Sequence, residues 1–195
     1  MSVLVSLDAD SWHIWVSTNA ISGEQRMGLN DIRGVPTSSD SQASLDRLEE
    51  ALDLAIIMRG DPVLVLDAAL DAEPGFVLGL CLRAEMQLLT TERSRVPMVA
   101  RDVELAEALT GTANNRERGH IAAIRAWLEG NMEKSTECWE TILLDYPRDL
   151  IALYCAHMTD FFLGSAPQIT IFRINIFSPK KMKSRILWFY LNFSF

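Results

Sequence analysis

The sequence predicts an all-α fold, a solenoid of about seven antiparallel helices. From residue 41 onward, apolar residues recur at three- and four-residue steps, which places them on one face of a helix. Glycine and proline stand between these periodic segments, where they end one helix or open the next. Residues 41–163 contain no convincing strand pattern. Short turns of this kind favour helices that run antiparallel and stack into an array.

The first two predicted helices have clear boundaries. One runs from Ser41 to a stop at Gly60. Its apolar face carries Leu45, Leu48, Leu52 and Ala55. Asp61 suits the N-cap of the second helix, and Pro62 suits its first position, where the missing N–H costs nothing. That helix ends before Pro74. Five further helices are predicted at about 76–91, 97–111, 115–129, 132–145 and 149–163.

Residues 116–149 form the clearest repeat unit, with two predicted helices in 34 residues. This length and arrangement are typical of tetratricopeptide repeats. Six residues occupy the positions that define such a unit: Ala122, Ala123, Gly130, Trp139, Ile142 and Pro147. The small pair lets the first helix approach its neighbour closely, and the aromatic residue fills the space between helices. The glycine and the proline end the two helices.

The next repeat begins on schedule at Asp149, but no second helix follows in the expected place. The tetratricopeptide-like solenoid is therefore predicted to be truncated. We divide the chain into an irregular N-terminal segment at 1–40, a helical repeat domain at 41–167 and a tail of different character at 168–195. A last repeat without a neighbour exposes its apolar face. We therefore expect weak stability or self-association through this C-terminal face.

Charge separates the tail from the rest of the chain. The formal net charge is −8, which disfavours a nucleic acid as partner. Residues 168–195 contain five basic residues and no acidic one, whereas residues 1–167 contain 13 basic and 26 acidic residues. Two interpretations of the tail stay open. It is a translation of unrelated DNA, and so disordered or artefactual, or it is a basic and aromatic tail that touches a membrane surface.

The remaining composition indicates a cytoplasmic protein. Cys81, Cys138 and Cys155 lack the spacing of a zinc or redox motif and are expected to be reduced. The N-terminus lacks the basic and apolar regions of a signal peptide, and no run of eighteen apolar residues predicts a membrane span. No zinc-protease, hydrolase or nucleotide-binding motif occurs. We therefore assign no catalytic, cofactor-binding or metal-binding residue and expect no cofactor.

Several stretches resemble a known family in their order and spacing. They lie at 31–38, 60–62, 70–76, 116–123, 129–130, 146–153 and 157–164; the first reads DIRGVPTS and the fourth RERGHIAA. Together they resemble the tetratricopeptide repeat protein 38 family over about residues 30–167. The resemblance implies an all-helical, cytoplasmic protein without a cofactor, and no defined molecular role. Family members are longer and continue with helices where this chain enters its tail.

Three residues are predicted to face the concave groove of the array, because of their positions on the first helix of the 116–149 unit. They are His120, Arg125 and Trp127. The protein is accordingly expected to be a helical scaffold that binds a protein or peptide partner.

Two alternatives to the scaffold stay open. One is the N-terminal part of an enzyme whose site needs the full-length chain and uses His120 or His157. Such a two-histidine site would need a third partner, such as Asp160 or Glu117. The simpler interpretation is one histidine in the groove and one hydrogen-bonded in the core. The other alternative is a nonfunctional truncated product.

Overall fold

A computed structural model describes residues 28–164 of the chain. The expectations for residues 1–27 and for the tail at 168–195 lie outside this range. Within it the protein is all-α, as predicted, with seven α-helices and no strand. The helices are α1 Gln42–Ile56, α2 Pro62–Ala72, α3 Val77–Leu89, α4 Val96–Ala108, α5 Asn115–Leu128, α6 Met132–Asp145 and α7 Leu150–Leu163. None of the helices between residues 28 and 164 combines the length and apolar character needed to span a membrane.

The helices begin and end at the polar and glycine residues that the sequence offers. Ser41 caps α1 and Asp61 caps α2, each through a side-chain oxygen that accepts backbone N–H groups of the first turn. At the start of α5, Asn114 and Glu117 form a reciprocal capping box. Gly130 follows α5 with φ +83°, a left-handed conformation that residues with a Cβ rarely adopt.

Helix α3 lies at the centre of the described structure. It packs against α1, α2, α4, α5 and α7, and almost all of its residues are buried. Two of them, Glu85 and Gln87, are polar and yet only 1% exposed. Helix α7 also reaches the first helix, because the hydroxyl of Tyr154 donates to the carbonyl oxygen of Ala55 at 3.4 Å. Five of the six other described helices therefore contact α3.

Helices α5 and α6 pack closely at small residues. A Cβ on Gly119 would stand 2.5 Å from Cγ1 of Ile142, so only glycine allows this approach without a shift. The hydroxyl of Ser135 donates to the carbonyl oxygen of Ala123 across the same pair at 2.7 Å. Ala123 is buried here, whereas Ala122 lies on the exposed side of α5.

Residues 28–40 cross the ends of several helices before α1 begins. The backbone N–H of Ser38 donates to the carboxylate of Glu117 on α5 at 2.8 Å. The hydroxyl of Ser39 donates to the carboxylate of Glu73, at the end of α2, at 2.9 Å. This segment thus connects the start of α5 to the end of α2.

The end of α7 carries an exposed apolar group. Phe161 is 70% exposed, and Phe162 and Leu163 are also exposed. The two phenyl rings meet edge to face with centroids 6.1 Å apart. This is the C-terminal face for which the sequence predicts self-association, and that expectation stays a prediction.

Candidate functional site

Five ionisable residues meet in the interior beside Trp139. We call them the buried ion cluster: Asp31, Glu85, Arg116, His120 and Asp149. Their side chains expose no surface. They come from the segment before α1, from α3, from α5 and from the N-cap of α7. The cluster therefore joins four parts of the chain that are far apart in sequence.

His120 lies between two carboxylates. Its Nδ1 is 2.7 Å from Oε1 of Glu85, and its Nε2 is 3.1 Å from Oδ2 of Asp149. The same Oε1 of Glu85 accepts a hydrogen bond from the indole Nε1 of Trp139 at 2.8 Å. His120 was expected at the surface of the groove. It lies in the core instead, because α3 covers this face of α5 and the ring gains two buried partners.

Arg116 completes the cluster on the other side of Asp149. Its Nε donates to Oδ2 of Asp149 at 2.6 Å, and its Nη2 forms an ion pair with Asp31 at 3.2 Å. The second oxygen of Asp149 caps α7 by accepting the N–H groups of Ile151 and Ala152 at 3.0 and 3.1 Å. The carboxylate of Asp149 thus accepts hydrogen bonds from Arg116, from His120 and from the first turn of α7.

These contacts shift the protonation equilibria. Burial lowers the pKa of His120, but the carboxylates of Glu85 and Asp149 outweigh it and raise the pKa to about 9. Burial raises the pKa of Asp149, but Arg116 and His120 outweigh it and hold that pKa well below its usual range. His120 is accordingly a cation at neutral pH and donates from both ring nitrogens.

We predict that stability falls as the pH rises from 6.5 to 8. Histidine in the unfolded chain titrates near 6.5, whereas folded His120 keeps its proton until about pH 9. Its contribution is complete below about pH 6.5 and is lost progressively above it, by roughly 2 kcal/mol at pH 8. Urea unfolding followed by circular dichroism at several pH values measures this slope.

The control for this slope is His120→Gln, which cannot titrate. The variant is expected to be less stable at every pH, with a clearly smaller slope between pH 6.5 and 8. The upper limit of pH 8 keeps cysteine ionisation in the unfolded chain small, since a free thiol titrates near 8.5. A wild-type stability that stays constant across the window would contradict the prediction.

The buried ion cluster is closed to molecules outside the protein. A general acid or base must come within hydrogen-bond reach of its substrate, and no atom of His120 is accessible. His157 is half-buried on α7 and is not a member of the cluster. Among residues 28–164, no group of three or more histidine, cysteine or carboxylate side chains is arranged to hold a metal ion. What the cluster does in this geometry is fix the positions of the helices around α3.

The surface offers a groove at one end of the helices. We call it the α3–α6 groove, because it is formed by the end of α3, the start of α4, the end of α5 and the start of α6. Its volume is about 300 Å³. Its apolar wall consists of Leu88, Val96, Val99, Trp127, Leu128 and Met132. Val96 is 44% exposed, so the wall can contact a partner from solvent.

Of the two other residues predicted to face a concave groove, Trp127 lines the α3–α6 groove and Arg125 does not. Trp127 lines the groove, half-buried, and meets Trp139 edge to face with ring centroids 6.1 Å apart. Arg125 points elsewhere and forms a two-point pair with Glu107 of α4, at 2.8 and 2.5 Å. Trp127 and Arg125 are thus partly accessible, and only Trp127 belongs to the groove wall.

A larger hollow of about 480 Å³ lies between residues 34–36 and the turn at 145–148. Pro147, predicted to close the repeat, is on its rim. Arg148 lines the hollow, and its Nη2 donates to the carbonyl oxygen of Gly34 on the other side at 3.3 Å. No buried polar side chain without a partner lines it. The smaller α3–α6 groove is therefore the better candidate for recognition.

Sequence reasoning missed the residues that surround His120. Glu85 contacts His120 from a helix in which Glu85 and Gln87 stand out among buried residues that are almost all apolar. A carboxylate in such a helix was the available sign of a buried polar partner. Asp149 lies 33 residues after Arg116, so this ion pair joins residues that are far apart in sequence. No sequence pattern indicated that Asp31 pairs with Arg116, because this contact depends on how residues 28–40 cross the helix ends.

No protein-family model matches the chain, and no solved structure matches it. The resemblance to the tetratricopeptide repeat protein 38 family therefore stays an expectation from the residues quoted for it. The described structure establishes the all-α class.

Proposed function

We propose that this protein is a tetratricopeptide-type helical scaffold that binds a segment of another protein in the α3–α6 groove. The observation that carries the proposal is the half-buried Trp127 in an apolar wall that opens to solvent. Tryptophan is among the residues that contribute most to protein interfaces, because it buries a large rigid surface.

The packing of the 116–149 unit supports the repeat interpretation. Trp139, at the large aromatic position, is 1% exposed, and Ile142 at the next apolar position is 4% exposed. Gly119 and Ala123 supply the close approach that such a unit needs between its helices. Of the four packing positions, Ala123, Trp139 and Ile142 are thus buried, whereas Ala122 is exposed.

The enzyme alternative is less well supported by this geometry. Its proposed acid–base residue, His120, is enclosed by Glu85, Asp149 and the surrounding helices. A groove wall rich in apolar side chains favours binding over proton transfer. We therefore retain the scaffold as the proposed function.

Peptide selection on the purified chain tests the proposal. Random twelve-residue peptides are selected on the immobilised 195-residue protein, and the affinity of the best binders is measured by fluorescence anisotropy. We expect Trp127→Ala and Val96→Glu each to weaken these peptides by more than about tenfold. Trp127→Ala also removes a contact with the buried Trp139 and so can disturb the core. Val96→Glu changes an exposed residue, so its effect on affinity measures the groove alone.

The matched control is Leu144→Ala, an exposed apolar residue of α6 outside the groove. It should leave the affinities unchanged. Peptides that bind the wild type and both groove variants equally would exclude this groove as the binding surface. Failure to select any specific peptide would count against the scaffold itself.

A further inference from the structure

Gln87 is the one polar side chain of the groove wall that is buried and has no partner among the described residues. It is 1% exposed, and neither its amide oxygen nor its amide nitrogen makes a hydrogen bond there. A buried amide in this condition is unfavourable, and native proteins rarely keep one without a reason. The α3–α6 groove thus contains an unused donor and an unused acceptor beside apolar side chains.

The chemistry of an amide narrows the choice of ligand. The Gln87 side chain needs a partner that both accepts and donates. A carboxylate only accepts, and an aliphatic side chain does neither. The backbone of an extended peptide presents a C=O and an N–H side by side, which matches both groups of the amide. The groove volume of about 300 Å³ is small, so it suits one side chain with its peptide group.

The rim of the groove carries two arginines, Arg93 and Arg95, and one glutamate, Glu92. Its charged side chains therefore leave one positive charge in excess, although the chain as a whole is acidic. Arg95 is paired with Glu92 at 3.2 Å, whereas Arg93 is exposed and forms no ion pair with another described residue. The N-terminal end of α4 begins beside them, at Val96, and adds partial positive charge. A ligand that carries negative charge next to its apolar group would complement this rim.

We propose that the α3–α6 groove binds an extended internal peptide segment in which an apolar residue is flanked by aspartate or glutamate. The apolar side chain packs between Trp127, Val96 and Met132. The backbone of that residue pairs with the amide of Gln87. The flanking carboxylate lies against Arg93. This inference rests on the scaffold proposed above and names the class of its partner.

Three synthetic peptides test the inference directly. All are ten residues long, acetylated and amidated, with a central phenylalanine; the flanking residues are aspartate in the first, serine in the second and lysine in the third. Terminal charges are removed, so only side-chain carboxylates can reach the rim. We expect the aspartate peptide to bind at least about tenfold more tightly than the lysine peptide at 50 mM salt, and to weaken at 300 mM salt.

Two variants separate the contributions of the rim and of the amide. Arg93→Glu should remove the preference for the aspartate peptide, whereas Arg101→Glu, an exposed arginine of α4 outside the groove, should keep it. Gln87→Met keeps the side-chain length and removes the amide. It should weaken all three peptides by about tenfold, with thermal stability unchanged or raised.

The outcomes distinguish this inference from the proposed function. Equal binding of the three peptides that still depends on Trp127 would overturn the acidic partner and leave the scaffold standing. An unchanged affinity in Gln87→Met would overturn the backbone pairing. If neither these peptides nor any selected peptide binds in the groove, both proposals fail.

Discussion

Replacing Asp149 with alanine is expected to lower the free energy of unfolding by about 3–5 kcal/mol. Two losses add. Arg116 and His120 keep their charge in the interior without the carboxylate that faces both of them, at 2.6 and 3.1 Å. Helix α7 also loses the oxygen that accepts its first two free N–H groups. Domains of this size are stable by only about 5–15 kcal/mol, so the variant would lie near the limit of folding.

Urea unfolding at pH 6.5 and 25 °C measures this change. Asp145→Ala is the matched control, since Asp145 is an exposed carboxylate at the end of α6 and should shift stability by less than about 0.5 kcal/mol. Asp149→Asn retains the capping oxygen while it removes the charge, so it should be intermediate. If Asp149→Ala costs no more than the Asp145 control, the buried ion cluster does not hold the helices as described.

Replacing Trp139 with alanine is expected to cost about 3–5 kcal/mol. The indole is 1% exposed and touches Trp127, so its removal leaves a large cavity beside α3. It also removes the N–H that donates to Oε1 of Glu85 at 2.8 Å. Both effects act at the centre of the molecule, where neighbouring side chains have little freedom to move in.

Trp139→Phe separates the two effects. Phenylalanine fills most of the space but cannot donate, so the expected cost is about 1–3 kcal/mol, the usual range for a buried acceptor that loses its donor. Circular dichroism in urea gives both values. A phenylalanine variant as unstable as the alanine variant would show that the hydrogen bond to Glu85, and not the volume, dominates.

The helices could be predicted because their signals are local. Gly60, Asp61, Pro62 and Gly130 act on the backbone within a few residues, so their effects do not depend on the rest of the fold. Over residues 28–164 the structure is all-α, as predicted, and its seven helices lie close to the predicted ranges.

The environment of His120 could not be predicted, because it depends on contacts between distant residues. Its two partners are 35 and 29 residues away in sequence, on α3 and at the start of α7. The repeat pattern alone places His120 on an open groove and predicts no helix that covers this face of α5. The continuous apolar character of α3 is the residue-level sign that this helix is enclosed on every side.

The α3–α6 groove could not be predicted for a similar reason. Trp127 was expected on the concave face of a repeat array, and that expectation stays a prediction; the groove that it lines also needs the turn before α4. Arg125, expected on the same face, pairs with Glu107 because α4 packs against α5. The contacts that a side chain makes thus depend on which helices pack beside its own.

Two contacts between distant segments have a consequence for how the described part of the chain unfolds. In an open repeat protein, each unit touches only the next one, and the terminal units can fray while the others stay folded. Here Tyr154 of α7 reaches Ala55 of α1, 99 positions away, and Ser38 reaches Glu117, 79 positions away. Unfolding of α7 therefore removes a contact of α1, and unfolding of residues 28–40 removes a contact of α5. The described helices should accordingly unfold more cooperatively than an open row of repeats.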